Sequence, residues 1–349
     1  MIESIADCWV SCPGKTVTKI LWSRGIKIED FRSEIGWTSS QCDMLFDGSL
    51  QIDEEVASDL GRAIGPSKSF WLQREFGYRR ETTSEAKFLE QLPLRELVKL
   101  GWISYGSSGD HLQTVLDFFG VSSPAEWTNY WQPVVCYTSY KHTVAFESEL
   151  GAVASWLRRG ELLSEQIKCN TWSEIQARAA IPEIRKLSRI KDPALFIPKL
   201  TSLCASFGVA VIVEKAPAGC RATGATRWLS PSRALLLLSG RYKTDDHFWF
   251  AFFHELGHLV LHRNSKMQLE IDGDYNQLED EANKFAQDAI IPPDRWQELI
   301  NLPKDPKAIA RFSAAIGISR GLVVGQLQYA RRLRHNQFNS IKRKLDLPT

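Results

Sequence analysis

The run FFHELGHLV places His254, Glu255 and His258 in the pattern H-E-x-x-H. Four residues are one turn plus about 40° of α-helix, so both imidazoles project from one face. Two neutral imidazoles so placed can share a metal ion. With a third protein ligand and one water they form an open four-coordinate site, in which zinc lowers the pKa of its water to about 7. Glu255 is placed to take the proton of that water as it attacks a carbonyl carbon, which is hydrolysis without a covalent intermediate. Phe248, Trp249, Phe250, Phe252, Phe253, Leu256 and Val260 make the helix apolar nearly all round. Burying two imidazoles and a carboxylate there without a use for them would be costly.

The third ligand must come from elsewhere in the chain. A histidine ligand six residues after His258 would need a glycine at 261 and a histidine at 264, where this chain has Leu261 and Asn264. The later segment LEDEANKFAQDAIIPP offers Glu279, Asp280 and Glu281. Glu279 shares a helix face with Ala282, Asn283, Ala286 and Ile290, the small and apolar side that can approach another helix closely. Glu281 shares its face with Lys284 and Asp288, a solvated side. Glu279 is therefore the expected ligand, Asn283 the residue that orients a ligand histidine, and Glu281 the reserve. The expected cofactor is Zn2+. Tyr242, Tyr275 and His262 are candidate donors to the oxyanion of a tetrahedral intermediate. Cys220 is either an inhibitory zinc thiolate or a buried free thiol.

Long helices must carry these groups. Asp246 to His262 reads as one, with Thr244 or Asp245 as its N-cap, and Leu278 to Ile291 as the second, stopped by Pro292 and Pro293. Before them, from about residue 196, β-rich runs occur at Val209–Val213, Thr226–Leu229 and Ala234–Leu238, separated by Pro217, Gly219, Gly224 and Pro231. The last run is expected to be an edge strand on which a substrate chain adds. The fold class expected is mainly α with an α+β C-terminal domain. Residues 1–80 read as short helices over Lys15–Arg24, Ile28–Ile35, Ser39–Phe46, Asp53–Ile64 and Ser67–Arg79, residues 81–195 as a helical connector, 196–330 as the hydrolytic domain and 331–349 as a basic tail.

Composition is ordinary for a globular chain of more than one domain. Seven cysteines, an odd number without a C-x-x-C pair, indicate neither a disulfide framework nor a cysteine zinc site and fit a reducing, cytoplasmic setting. No stretch has the order of a signal peptide or the length of a membrane span. Arg331, Arg332, Arg334, Lys342, Arg343 and Lys344 precede any acid in the tail, which reads as a solvated charge run or an anion contact. Ile28 to Gly48 has the layout helix, turn at Gly36, helix, in which Ser39, Ser40, Gln41, Asp43 and Met44 would face a DNA major groove. Residues 1–80 nonetheless hold 10 Lys and Arg against 12 Asp and Glu, so phosphate attraction would be weak.

Residues 9 to 80, from WVSCPGKTVTKIL through DLGRAIGPSKSFWLQREFGYRRE, resemble the XRE-type helix-turn-helix domain of HigA-like antitoxins and regulators. RWLSPSRALLLLSGRYKTDDHFWFAFFHELGHLVLH followed by EDEANKFAQDAIIPP resembles the ImmA/IrrE metallopeptidase family. The combination is similar to fused XRE-ImmA/IrrE regulators. It implies zinc, a gluzincin-like peptidase domain, and cleavage of a protein partner such as a repressor or a cognate toxin. Operator DNA and a homodimer are also implied partnerships. The chain departs from XRE domains in carrying Ile28 and Arg32 where these place Gln and a small Ala. A second expectation of another class is a non-catalytic antitoxin or repressor whose zinc domain is a structural or sensing module.

Overall fold

The computed structural model describes residues 12–82, 84–105, 111–137, 139–140, 150–241, 244–263 and 275–347, with the side chains of 80–82, 84–86, 136–137, 139–140 and 275–276 excepted. The chain divides into two compact units, Met1–Glu90 and Gln91–Thr349.

The first unit consists of α1 (Pro13–Ser23), α2 (Ile28–Ile35), α3 (Ser39–Asp47), α4 (Glu54–Ile64), α5 (Lys68–Thr82) and α6 (Ser84–Glu90). Local chemistry sets these boundaries. Gly36, Gly48 and Gly65 end α2, α3 and α4 in the left-handed region that glycine alone adopts freely. Thr38 opens α3 with a reciprocal capping box: its hydroxyl accepts the Gln41 N–H, and the Gln41 side-chain oxygen accepts the Thr38 N–H at 3.0 Å. Val17, Leu21, Phe31, Leu45, Leu60 and Trp71 bury the shared core. The close crossing of this unit is α1 on α3, where any side chain at Gly14 would collide with the Leu45 carbonyl oxygen. Arg32 is accommodated beside α3, donating to the Asp43 carboxylate at 2.5 Å. Ser39, Ser40, Gln41, Asp43 and Met44 are all exposed. Gln41 is engaged by the cap and Asp43 by Arg32.

The second unit begins with α7 (Leu94–Lys99), α8 (His111–Phe119), α9 (Pro124–Tyr137), the two-residue strand β1 (Ser139–Tyr140), α10 (Leu150–Ser164), α11 (Glu174–Leu187) and α12 (Pro193–Ala205). It continues with β2 (Val209–Val213), β3 (Gly224–Ser230), β4 (Arg233–Leu238), α13 (Asp245–Leu261), α14 (Tyr275–Ile290), α15 (Trp296–Ile300), α16 (Pro306–Ile316) and α17 (Arg320–Tyr329). The chain is mostly helical with one small mixed sheet, in agreement with the expected class. The strand order is β1-β3-β4-β2, with β4 antiparallel to β3 and parallel to β2. This overturns the expectation that Ala234–Leu238 is an edge. Its unbroken apolar run is that of a central strand buried on both faces. Alternation sends Ala234, Leu236 and Leu238 to the core shared with α13. Leu235 and Leu237 go to the other face, where Gly160 of α10 lets the helix lie against them. Helix α10 thus packs on the sheet. It is tied further by the indole N–H of Trp156 donating to the Glu214 carbonyl at 2.9 Å.

The basic C-terminal segment is also more than a solvated run. Arg331, Arg332 and Arg334 are exposed, but Leu345 and Leu347 are buried and Lys344 pairs in an antiparallel bridge with Thr244, the residue before α13. Lys342 Nζ lies 2.6 Å from the buried Asp246 carboxylate. Asp245 accepts from the Arg343 N–H at 2.9 Å and from the Ser319 hydroxyl at 2.6 Å. Burial pushes the Asp245 carboxyl up, against the lowering effect of those two donors. Gly321 and Gly325 leave room for Asp245 and Asp246 at the α13–α17 crossing. Among the described residues no single helix is long and apolar enough to cross a membrane. Lys342→Met strands the Asp246 carboxylate in the interior. Urea unfolding should show a loss of about 3–5 kcal/mol, with Lys342→Arg losing less.

Candidate metal centre

Helix α13 is buried along nearly its whole length because its aromatic and aliphatic side chains face both the sheet and the surrounding helices. His254 and Glu255 are 0% exposed and His258 is 3% exposed. The helical spacing brings the two rings together edge to face, centroids 4.7 Å apart.

Helix α14 supplies the third group. Its crossing with α13 is tight: a side chain on Gly257 would come within 3.1 Å of Phe285 and 3.3 Å of the Ala282 backbone. Glu279 therefore reaches across, its carboxylate oxygens 3.2 Å from Nε2 of His254 and 3.2 Å from Nε2 of His258. The two Nε2 atoms are 3.1 Å apart. Burial raises the Glu279 carboxyl, but the hydrogen bonds and charge of His254 and His258 outweigh it and hold the group well below the usual carboxylate range.

Those three separations test the fit of a metal. Donors about 2.0–2.1 Å from a tetrahedral centre stand about 3.3 Å from one another. The Nε2–Nε2 separation of 3.1 Å matches one such edge to within a few tenths of an ångström, and the two 3.2 Å contacts, His254 to Oε2 and His258 to Oε1, place the Glu279 carboxylate beside both nitrogens. Two imidazoles and one carboxylate form a donor set for a borderline ion such as zinc rather than for calcium or magnesium, which favour all-oxygen shells. Among the described residues, His254, His258 and Glu279 are the group that satisfies metal-ligand geometry.

The surroundings orient the ligands. His254 Nδ1 is 3.0 Å from the Asn283 side-chain oxygen, as the helical phase of α14 leads one to expect. Glu281, the reserve ligand, is turned away from the cluster and meets Nε2 of His262 at 3.0 Å instead. His262 places its other nitrogen on His258 at 3.1 Å, so both its ring nitrogens contact protein groups, which conflicts with the role of oxyanion donor. Tyr242 and the side chain of Tyr275 lie outside the described residues. Cys220 is not among the clustered donors, and burial pushes its thiol up to about 12, partly offset by a backbone hydrogen bond and by Arg241. That favours the buried free thiol over a thiolate.

Glu255 is positioned by a residue that the motif does not contain. A side chain on Gly224, the first residue of β3, would stand 2.6 Å from Glu255 Cγ and 2.7 Å from its Oε1. The strand thus approaches the glutamate backbone-first. A lone glycine at the head of a strand run is the one signal in the sequence that points to such an approach.

Metal analysis of the purified chain should find about one zinc per molecule, lost in His254→Ala and Glu279→Ala. Zinc at 100 times its Kd should stabilise the parent by about 2.7 kcal/mol and leave both variants unchanged.

Residues 204–324 match the family model of the IrrE N-terminal-like domain, Peptidase_M78. No curated protein and no solved structure matches the chain. The matched span runs from the end of α12 into α17 and contains Gly224, His254, Glu255, His258, Glu279 and Asn283. Residues 204–324 are thereby identified as a domain of metallopeptidase-family type.

Proposed function

We propose that this protein is a zinc-dependent endopeptidase of narrow specificity that cleaves a protein partner of the repressor or toxin-antitoxin kind. The observation that carries the reading is the convergence of His254 Nε2, His258 Nε2 and the Glu279 carboxylate, with Glu255 one residue along the same helix.

When bound, zinc supplies Lewis acidity toward a carbonyl oxygen and brings water within reach of deprotonation near neutral pH. His254 and His258 hold it through neutral imidazoles, and Glu279 contributes a negative charge that offsets part of the ion's own. Glu255 accepts a proton from the attacking water at a carboxylate oxygen and returns it to the leaving amine nitrogen. The Gly224 backbone lets that carboxylate lie against β3 with no side chain in between.

The N-terminal unit serves recognition of operator DNA or of the protein partner. Arg32 already neutralises Asp43, which removes one repulsion from a phosphate backbone. Ser39, Ser40 and Met44 remain as exposed groups for contact.

Burial of Glu255 and both histidines favours a second reading, in which the metal domain is a structural or sensing module of a repressor or antitoxin. The two readings part at Glu255→Gln. For the peptidase, zinc content stays at the parent level while cleavage of the partner falls by about 10²-fold or more. An unchanged cleavage rate would sink the mechanism. For the repressor, the same variant keeps full activity, and the chain retards its own upstream DNA at low salt with affinity falling steeply as salt rises.

A further inference from the structure

We propose that His262 and Glu281 form a positioning dyad for the ligand His258, fixing its tautomer and strengthening it as a donor. The proposal rests on the reading that His254, His258 and Glu279 hold a metal.

A carboxylate has no proton to give, so at the 3.0 Å contact between Glu281 Oε2 and His262 Nε2 the imidazole donates. His262 Nδ1 stands 3.1 Å from His258 Nδ1. A metal held at His258 Nε2 would leave the proton of a neutral His258 on Nδ1, which can donate across that contact to His262 Nδ1. His262, accepting there, would keep its own proton on Nε2, the atom that faces Glu281. Glu281 and His262 are thus arranged to favour the form of His258 whose Nε2 lone pair faces the cluster it shares with His254 Nε2 and Glu279.

The dyad is itself held. Gln277 donates to the second carboxylate oxygen of Glu281 at 2.9 Å, so both oxygens have fixed donors. His262 is 2% exposed, whereas the Glu281 side chain is 44% exposed. The relay therefore runs from the solvent edge of α14, through a buried imidazole, to the metal ligand. His254 reaches the same tautomer by another route, donating from Nδ1 to the neutral amide oxygen of Asn283. The two ligand histidines thus differ in their support, one backed by a neutral amide and the other by a charge-assisted chain, and the second is the stronger donor.

The test uses the full chain, with zinc as the probe and a chromophoric chelator as competitor. Glu281→Ala and His262→Phe should raise the zinc Kd by about 10- to 100-fold, and Glu281→Gln, which keeps an oxygen that accepts from His262, should lose markedly less. Long-range 1H–15N spectra of both proteins without zinc should show the Nδ1–H form of His258 more populated in the parent than in Glu281→Ala. Because Glu281 is at the solvent edge, that variant folds even if His262→Phe does not. A parent that binds zinc, with Glu281→Ala within about twofold of it and the same His258 tautomer population when both are zinc-free, would overturn the dyad alone. A parent that binds no zinc would overturn the metal reading and the dyad with it.

Discussion

A glutamate carboxylate lies only a few bonds from its backbone, so Glu279 can touch rings on a neighbouring helix only where the two helices cross closely. Helices packed through ordinary side chains stand about 8–10 Å apart axis to axis. At Gly257 the crossing leaves little room, since a side chain there would meet Ala282 and Phe285. The glycine sits between Glu255 and His258, within the motif itself. Gly224 plays the matching part on the sheet side, where β3 approaches Glu255 with no side chain in between. Two positions without side chains thus let neighbouring groups pack closely beside the polar residues of a core otherwise filled by Phe248, Trp249, Phe252 and Phe253. A larger residue at either one would meet those neighbours before any chemistry was altered.

The polar groups buried there each need an arrangement that offsets their desolvation. The histidines of α13 are satisfied laterally by Asn283, Glu279 and Glu281, all from α14. The start of α13 is satisfied from much farther along the chain. Asp245 and Asp246 take their donors from Ser319, the Arg343 backbone and Lys342. Helix α13 is therefore held at its start and along its second half by segments that follow it in sequence. Acids in the first turn also favour the positive end of the helix dipole, which adds to the anchoring.

The parts of this arrangement that depend on helical period were legible in the sequence. The pairing of His254 with His258 follows from a spacing of four, and the preference for Glu279 over Glu281 follows from the faces they share with Ala282, Asn283 and Ala286. The helices of the first unit lie within a few residues of where their turns and caps place them, as at Thr38 and Gly65. What the period could not convey was tertiary. The run Ala234–Leu238 looks the same as an edge or as a centre until its neighbours β2 and β3 are known. Lys342 reads as a solvated charge until Asp246 is found beneath it. Glycines at 224 and 257 carry no apolar signal at all, since what matters at each is the neighbour that a Cβ would strike.

The run Glu279-Asp280-Glu281 shows how one helix divides roles among like residues. Each step of about 100° points the next carboxylate elsewhere. Glu279 enters the cluster, Asp280 is exposed, and Glu281 emerges beside His262. Asn283, one turn beyond Glu279, reaches His254. The group that meets both Nε2 atoms, the partner of His254 and the partner of His262 thus all come from five consecutive residues of α14.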